Sequence, residues 1–192
     1  MDFKILCKKI LVPFYILRYR IFHFKKWFYI GPHCKINNTS NIFLGEGAQI
    51  AGYSMLHCLY KKSKITIYNN VYLGMFSRIG CANSVTIEDN VLTGPHIFIS
   101  DYNHAYENIN LPVVSQGVAC GKNDRVIIGK DSWIGTNVCI IGNIKIGKHC
   151  IIGANSVVTK DLPDFSVAVG SPARVIKQYN PILKKWVKVS DQ

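Results

Sequence analysis

Residues 128–158 read IGKDSWIGTNVCIIGNIKIGKHCIIGANSVV, and aliphatic residues stand in them at a strict spacing of six: Ile128, Ile134, Ile140, Ile146, Ile152 and Val158. A helix repeats every 3.6 residues and a half-buried strand every 2, so neither gives this pattern. A short strand followed by a tight corner does, provided that each corner turns the chain by about a third of a circle. The same spacing runs back through Leu44, Ile50, Leu56, then Ile67, Leu73, Ile79, then Ile87, Thr93 and Ile99. Fourteen of the fifteen slots are aliphatic, Thr93 being the polar exception, and Gly follows the slot in eight of them (Gly45, Gly74, Gly80, Gly94, Gly129, Gly135, Gly147, Gly153). Glycine lets the backbone pass a corner without a Cβ clash. Three sides close one coil, and stacked coils bury a continuous apolar column. The expected fold is therefore all-β, a parallel β-helix.

With this repeat, the sequence resembles the hexapeptide-repeat acyltransferases over about residues 40–177, and within them the branch that O-acetylates lipopolysaccharide and capsule sugars. The resemblance implies a left-handed parallel β-helix, against the usual right-handed crossover. It also implies a homotrimer with cofactor and acceptor clefts between protomers, and direct acetyl transfer from acetyl-CoA to a sugar hydroxyl. The repeat itself carries no chemistry, so function has to be read from a site.

The period fails between Ile99 and Ile128, an excursion that opens Ser100-Asp101-Tyr102-Asn103-His104. Long departures from a regular scaffold are where function concentrates. In the resembling family a loop at this place carries the catalytic histidine, which His104 matches. A sugar hydroxyl is a poor nucleophile, and an imidazole titrating near neutrality suits the removal of its proton. Asp101 or Glu107 could hold the other ring nitrogen, and Asp101 is favoured. The γ-class carbonic anhydrases share the fold but need three zinc-binding histidines, two of them as H-x4-H. The histidines at 23, 33, 57, 96, 104 and 149 contain no such pair, so no metal is expected. His96 and His149 read as surface residues.

The elements SWIG, GANSVVTKDLP and VGSPARVIK resemble the family's acetyl-CoA signature. By that resemblance Trp133 flanks the thioester, Thr136 and Ala154 line the pantetheine channel, and Thr159, Lys160, Arg174 and Lys177 meet the adenosine and phosphate groups. Basic side chains there supply counter-charge to phosphate. On the acceptor side, along the stretch LGMFSRIGCAN, sugar-acetylating relatives often place Asn or Asp, whereas this chain has Gly74, Cys81 and Ala82 with Arg78 and Asn83 nearby. The departure is compatible with a larger or lipid-linked glycan.

The 192 residues carry a net charge of +12, with 48% hydrophobic and 18% charged residues, a composition that folds as one domain. The charge is local: +7 in residues 1–35, +1 in 36–170 and +4 in 171–192. That distribution argues against a nucleic-acid footprint spread over the body. The longest uncharged run of the N-terminal segment, Ile10–Leu17, is eight residues and contains Pro13, too short for the ~20 that span a bilayer. No signal-peptide cleavage site follows it. A basic, aromatic, helical segment of this kind suits an anionic membrane interface, with packing on its own domain or a neighbour as the alternative. Seven scattered cysteines without a CxxC read as reduced thiols of a cytoplasmic protein, peripheral on the inner face of the membrane.

The expected organisation is a basic N-terminal segment (1–35), a β-helix (36–170) with a catalytic loop (100–127), and a C-terminal helix with a basic tail (171–192). The reading is a sugar O-acetyltransferase acting on a surface polysaccharide or its lipid-linked precursor. Two alternatives stand beside it. One is N-acetylation of a nucleotide-linked amino sugar, whose enzymes usually carry a nucleotide-binding βαβ unit ahead of the repeat. The other is an inactive membrane-bound scaffold.

Overall fold

The computed structural model describes Lys8, residues 10–19 and residues 27–189. Short parallel strands stack into a triangular solenoid with three faces. The first face has nine strands, seven of them parallel rungs running from Tyr29–Ile30 through Gln49–Ile50, Tyr72–Leu73, Leu92–Thr93, Trp133–Ile134 and Ile151–Ile152 to Ser166–Val169. The second has six, from Lys35–Asn37 through Met55–Cys58, Arg78–Cys81, Phe98–Ser100 and Cys139–Ile141 to Val157–Val158. The third has five, from Ile42–Leu44 to Ile144–Ile146. All fifteen slots of the repeat point inward and are buried. Thr93 fits the column because its hydroxyl accepts from Gly74 N (2.9 Å) and donates to Gly94 O (3.1 Å). A buried hydroxyl so satisfied escapes the penalty of an unpaired polar group.

The glycines after the slots serve close approach between coils. A Cβ on Gly74 would stand 2.2 Å from Gly94 O. The left-handed corner positions are filled by other residues. Between the first and second faces stand His33, Tyr53, Phe76, His96, Asn137 and Asn155, all at positive φ. Their rings stack, His33 on Tyr53 at 4.8 Å, Tyr53 on Phe76 at 5.1 Å and Phe76 on His96 at 4.9 Å. Between the third and first faces stand Asn70, Asn90, Asp131, His149 and Phe165. Here amides bridge the coils, Asn70 Nδ2 to Asn90 Oδ1 (3.2 Å) and Asn90 Nδ2 to Asp131 Oδ1 (2.9 Å). His96 and His149 are exposed as expected, and both are also members of ring stacks.

Both ends of the column are closed. At the amino end helix α1, Val12–Tyr19, starts with Pro13 in its first turn, where a missing N–H costs little. Its Val12 and Tyr15 are buried, and Tyr15 packs on Phe28 (5.8 Å) and Tyr29 (6.2 Å). That burial pushes the Tyr15 phenol up to about 12. Residues 1–7, 9 and 20–26 of the expected membrane segment lie outside the described residues, and its end, Tyr29–Ile30, is the first rung of the first face. At the carboxyl end the structure corrects the sequence: Arg174–Asn180 is a strand, with Lys185–Lys188 antiparallel beside it, and the described residues hold no C-terminal helix. The last coil would otherwise present an open sheet edge, and Arg174–Asn180 pairs with it through Ser166–Val169. Asn180 makes the turn, its Oδ1 accepting from Ile182 N (3.0 Å) and Leu183 N (2.9 Å).

Candidate active site

The excursion leaves the corner between the second and third faces and is tied at its neck. Asp101 is fully buried there, its carboxylate accepting from Ala82 N, Asn83 N and Ser84 N, each at 2.7 Å. These three bonds direct it into the preceding coil. No hydrogen bond joins it to His104 among the described residues, which corrects the expectation that it orients the imidazole. Glu107 is exposed further along the loop. Asn83 is likewise a clasp: its Nδ2 donates to Gly121 O (2.7 Å) and Cys120 Sγ (3.3 Å), holding the returning strand of the loop. It therefore does not line the cleft with His104.

Beyond the neck, Asn103–His104 pairs antiparallel with Val118–Ala119, and Ala105 N donates to Gly117 O (3.1 Å). This two-rung ribbon fixes the His104 backbone while leaving its side chain exposed. The imidazole lines a cleft of about 210 Å³ with His57, Arg78, Gly80, Phe98, Ser100, Tyr102, Asn103 and Ile141. Arg78 thus lines the same cleft as His104. Gly80 forms the floor, since a Cβ there would meet the Tyr102 hydroxyl at 2.9 Å. Burial raises the Tyr102 pKa, against a lowering by the nearby Arg78 charge.

His57 and Tyr102 are the site residues missed by sequence reasoning. The repeat held the signal for His57: it follows a slot, and the register His57–Gly80–Ser100–Ile141 runs up the outer side of the second face. Outward positions next to the root of the loop must line whatever the loop covers.

The cofactor candidates sit elsewhere. Trp133 is on the outer side of the first face, in register with Leu92 and Ile151, and 53% exposed. Thr136 and Ala154 are on successive coils at the corner between the first and second faces, where Asn155 N donates to Thr136 O (2.9 Å). Lys160 and Arg174 line a depression of about 270 Å³ with Asp161, Leu162, Ala173 and Val175. Thr159 precedes Lys160, exposed, and Lys177 is exposed on the same strand as Arg174. An exposed indole and a cationic depression fit an acyl-CoA, with a hydrophobic thioester end and a polyanionic nucleotide end.

Burial works against several of the described cysteines as nucleophiles, and Cys58, whose thiol is lowered by its hydrogen bond with Cys81, is itself fully buried. The Cys81 thiol is pushed far up by its contact with Cys58, by burial and by the Asp101 charge. Burial raises Cys34, Cys120 and Cys150 as well. Among the described residues no group of three His, Cys, Asp or Glu side chains could hold a metal.

A family model described as bacterial transferase hexapeptide (six repeats) matches residues 125–160. A chain of Mycobacterium tuberculosis named as a probable acetyltransferase is 32% identical over 189 residues, 90% of this chain and 60% of that one; this chain thus spans less than two thirds of that relative. An Escherichia coli chain that carries the name lipopolysaccharide biosynthesis O-acetyl transferase WbbJ is 31% identical over 159 residues, 81% of each chain. Among solved structures, the Bacillus cereus N-acyltransferase AntD in complex with dTDP and 3-hydroxybutyryl-CoA superposes with a TM-score of 0.68 at 21% identity, covering 87% of this chain and 88% of its own. That likeness shows a shared fold.

Proposed function

The chain belongs to the hexapeptide-repeat acetyltransferases, and from that premise we propose that it moves an acetyl group from acetyl-CoA to a sugar hydroxyl of a bacterial surface polysaccharide or of its lipid-linked precursor. The observation that carries this reading is His104, exposed on a braced ribbon over a cleft of about 210 Å³ on an otherwise regular wall. Its imidazole takes the proton of the acceptor hydroxyl as that oxygen attacks. Acetyl-CoA supplies the acyl group already activated as a thioester. Lys160, Arg174 and Lys177 hold its phosphates, Thr136 and Ala154 flank the pantetheine, and Trp133 flanks the thioester end. Direct transfer without an acyl-enzyme is part of this reading, and the burial of Cys58, Cys81 and Cys150 in the column supports it. The name of the E. coli relative supports an O-linked glycan acceptor.

In this reading two copies make one site. Trp133 belongs to the first face and the His104 cleft to the second, so one protomer does not bring them together. Tyr72, Leu92 and Trp133 form an exposed apolar column (39%, 49% and 53%), and the loop tip exposes Ile109 and Val114 (93% and 91%). A copy laid against the first face would cover the column and present its own loop. A homotrimer would sediment at three times 21.6 kDa; a monomer that is fully active at nanomolar concentration would end this part of the proposal.

The enzyme is also proposed to work on the inner face of the cytoplasmic membrane. α1 buries Val12 and Tyr15 but leaves Phe14 and Leu17 exposed by 55% and 82%, an i, i+3 pair on one side of the helix, and Ile10 just before it is 69% exposed. Among the described residues no helix is long and apolar enough to cross a membrane. The flanking cations of the +7 segment suit anionic headgroups. Phe14→Ser with Leu17→Ser should release the protein from phosphatidylglycerol vesicles with its melting temperature unchanged. Undiminished binding would refute the attachment.

The main test is free-CoA release with neutral glycans and amino sugars. His104→Ala should lose it while keeping CoA affinity within about twofold. Transfer confined to amino sugars would shift the reading to N-acylation, and silence with every acceptor would leave a scaffold.

A further inference from the structure

The lining of the His104 cleft mixes apolar groups (Phe98, Ile141) with polar ones, and its charge has one sign. Arg78, His57 and His104 contribute cationic or protonatable groups, Tyr102, Ser100 and Asn103 neutral ones, and among the described residues no carboxylate lines it. The nearest acid in sequence, Asp101, is fully buried with its oxygens held by three backbone N–H groups of the preceding coil. Its oxygens are bonded away from the cleft, although its charge still acts on Tyr102.

Arg78 itself is exposed and has no ion pair or side-chain hydrogen bond among the described residues. It stands in register between Met55 and Phe98 on the second face, so apolar neighbours flank its stem. An unpaired guanidinium beside a partly enclosed cleft is suited to a planar oxyanion, which it can grip with two parallel N–H donors. The cleft is about 210 Å³, smaller than the ~300–1,000 Å³ of drug-sized sites. That limits it to about one sugar unit, so an anion that Arg78 reaches must be carried on the unit being acetylated or on its immediate linkage.

Resting on the acetyl-transfer reading, we propose that the acceptor is anionic: a sugar bearing a carboxylate or a phosphoryl group, which Arg78 holds while His104 takes the proton of a neighbouring hydroxyl. Arg78 is then the residue that sets acceptor specificity. His57, on the coil below Gly80, is the second cationic partner available to the same anion when it is protonated.

The experiment compares three acceptors with the full chain and acetyl-CoA: a neutral hexose, the matching uronic acid and the matching hexose 1-phosphate. At least one anion should exceed the hexose about tenfold in kcat/KM, and which one does so distinguishes carboxylate from phosphoryl. The preference should fall as NaCl rises from about 50 to 500 mM. Arg78→Gln should bring the ratio of anionic to neutral kcat/KM close to one, chiefly through KM of the anion, and Arg78→Lys should restore part of it. A hexose used as well as both anions, or a ratio unchanged in Arg78→Gln, overturns the proposal. His104→Ala separates the two levels. If it is silent while the neutral sugar is favoured, only the anionic acceptor is lost; if it turns over normally, the general-base reading falls instead.

Discussion

The coils and the excursion that interrupts them are built on opposite terms. In the coils every slot of the repeat is buried, and each inward side chain finds its partner one coil away. In the excursion no residue from Tyr102 to Asp124 is buried. That segment is held by polar contacts: the Asn103–His104 ribbon, and the Gln116 side chain, whose Nε2 donates to Asn108 O (2.9 Å) and Leu111 O (2.8 Å). Stability is thus stored in one region and the proposed chemistry in the other. An exposed, braced segment can carry a reactive imidazole without exposing the column to solvent.

The separation can be broken by substitution. The largest effect is expected at His104→Ala, a fall of about 10²–10⁴ in kcat, the usual worth of a general base, with no change in melting temperature. A drop of several degrees in the same variant would mean that the ribbon depends on the imidazole. Next comes the wall: Ile140→Ala removes a fully buried side chain and should cost about 2–5 kcal/mol in urea unfolding. Asp101→Asn tests the junction. It turns amide hydrogens toward backbone donors and should cost about 1–3 kcal/mol, while the acidic limb of the pH–rate profile stays in place. A shifted limb at unchanged stability would return Asp101 to the catalytic group.

The same contrast explains what could be read from the sequence. Ile128 to Val158 gives the column directly, because spacing of six and inward direction are one fact. His104 stood out because it falls where the period stops. Asp101 and Asn83 were misassigned because their partners, the N–H groups of residues 82–84 and the Gly121 carbonyl, are chosen by the closure of the loop neck. No local pattern encodes that closure. The expected C-terminal helix within 171–192 is a strand over Arg174–Asn180, a segment short enough to satisfy either period. Its strand state is decided by the open edge at Ser166–Val169, a tertiary demand.

The smallest predicted effect is the one in which a sign, not a size, decides. Gly in place of Ala normally destabilises by about 0.5–1 kcal/mol. Phe76 has a φ of 58°, a conformation that costs a side-chain-bearing residue about 1–2 kcal/mol. Its ring stacks on both Tyr53 and His96, and aromatic pairs contribute about 0.5–1.5 kcal/mol each. Stacking along the corner therefore offsets the backbone cost. Phe76→Ala loses the stacks and keeps the strain; Phe76→Gly loses the stacks and the strain together. Glycine should therefore be the milder substitution by up to about 1 kcal/mol, read as a higher urea midpoint than that of the alanine variant. Ile127, on a strand of the third face away from any corner, should show the ordinary order, Ala above Gly. If Phe76 shows that order too, the ring stack is not compensating for backbone strain, and the aromatic corner is no different in kind from the rest of the wall.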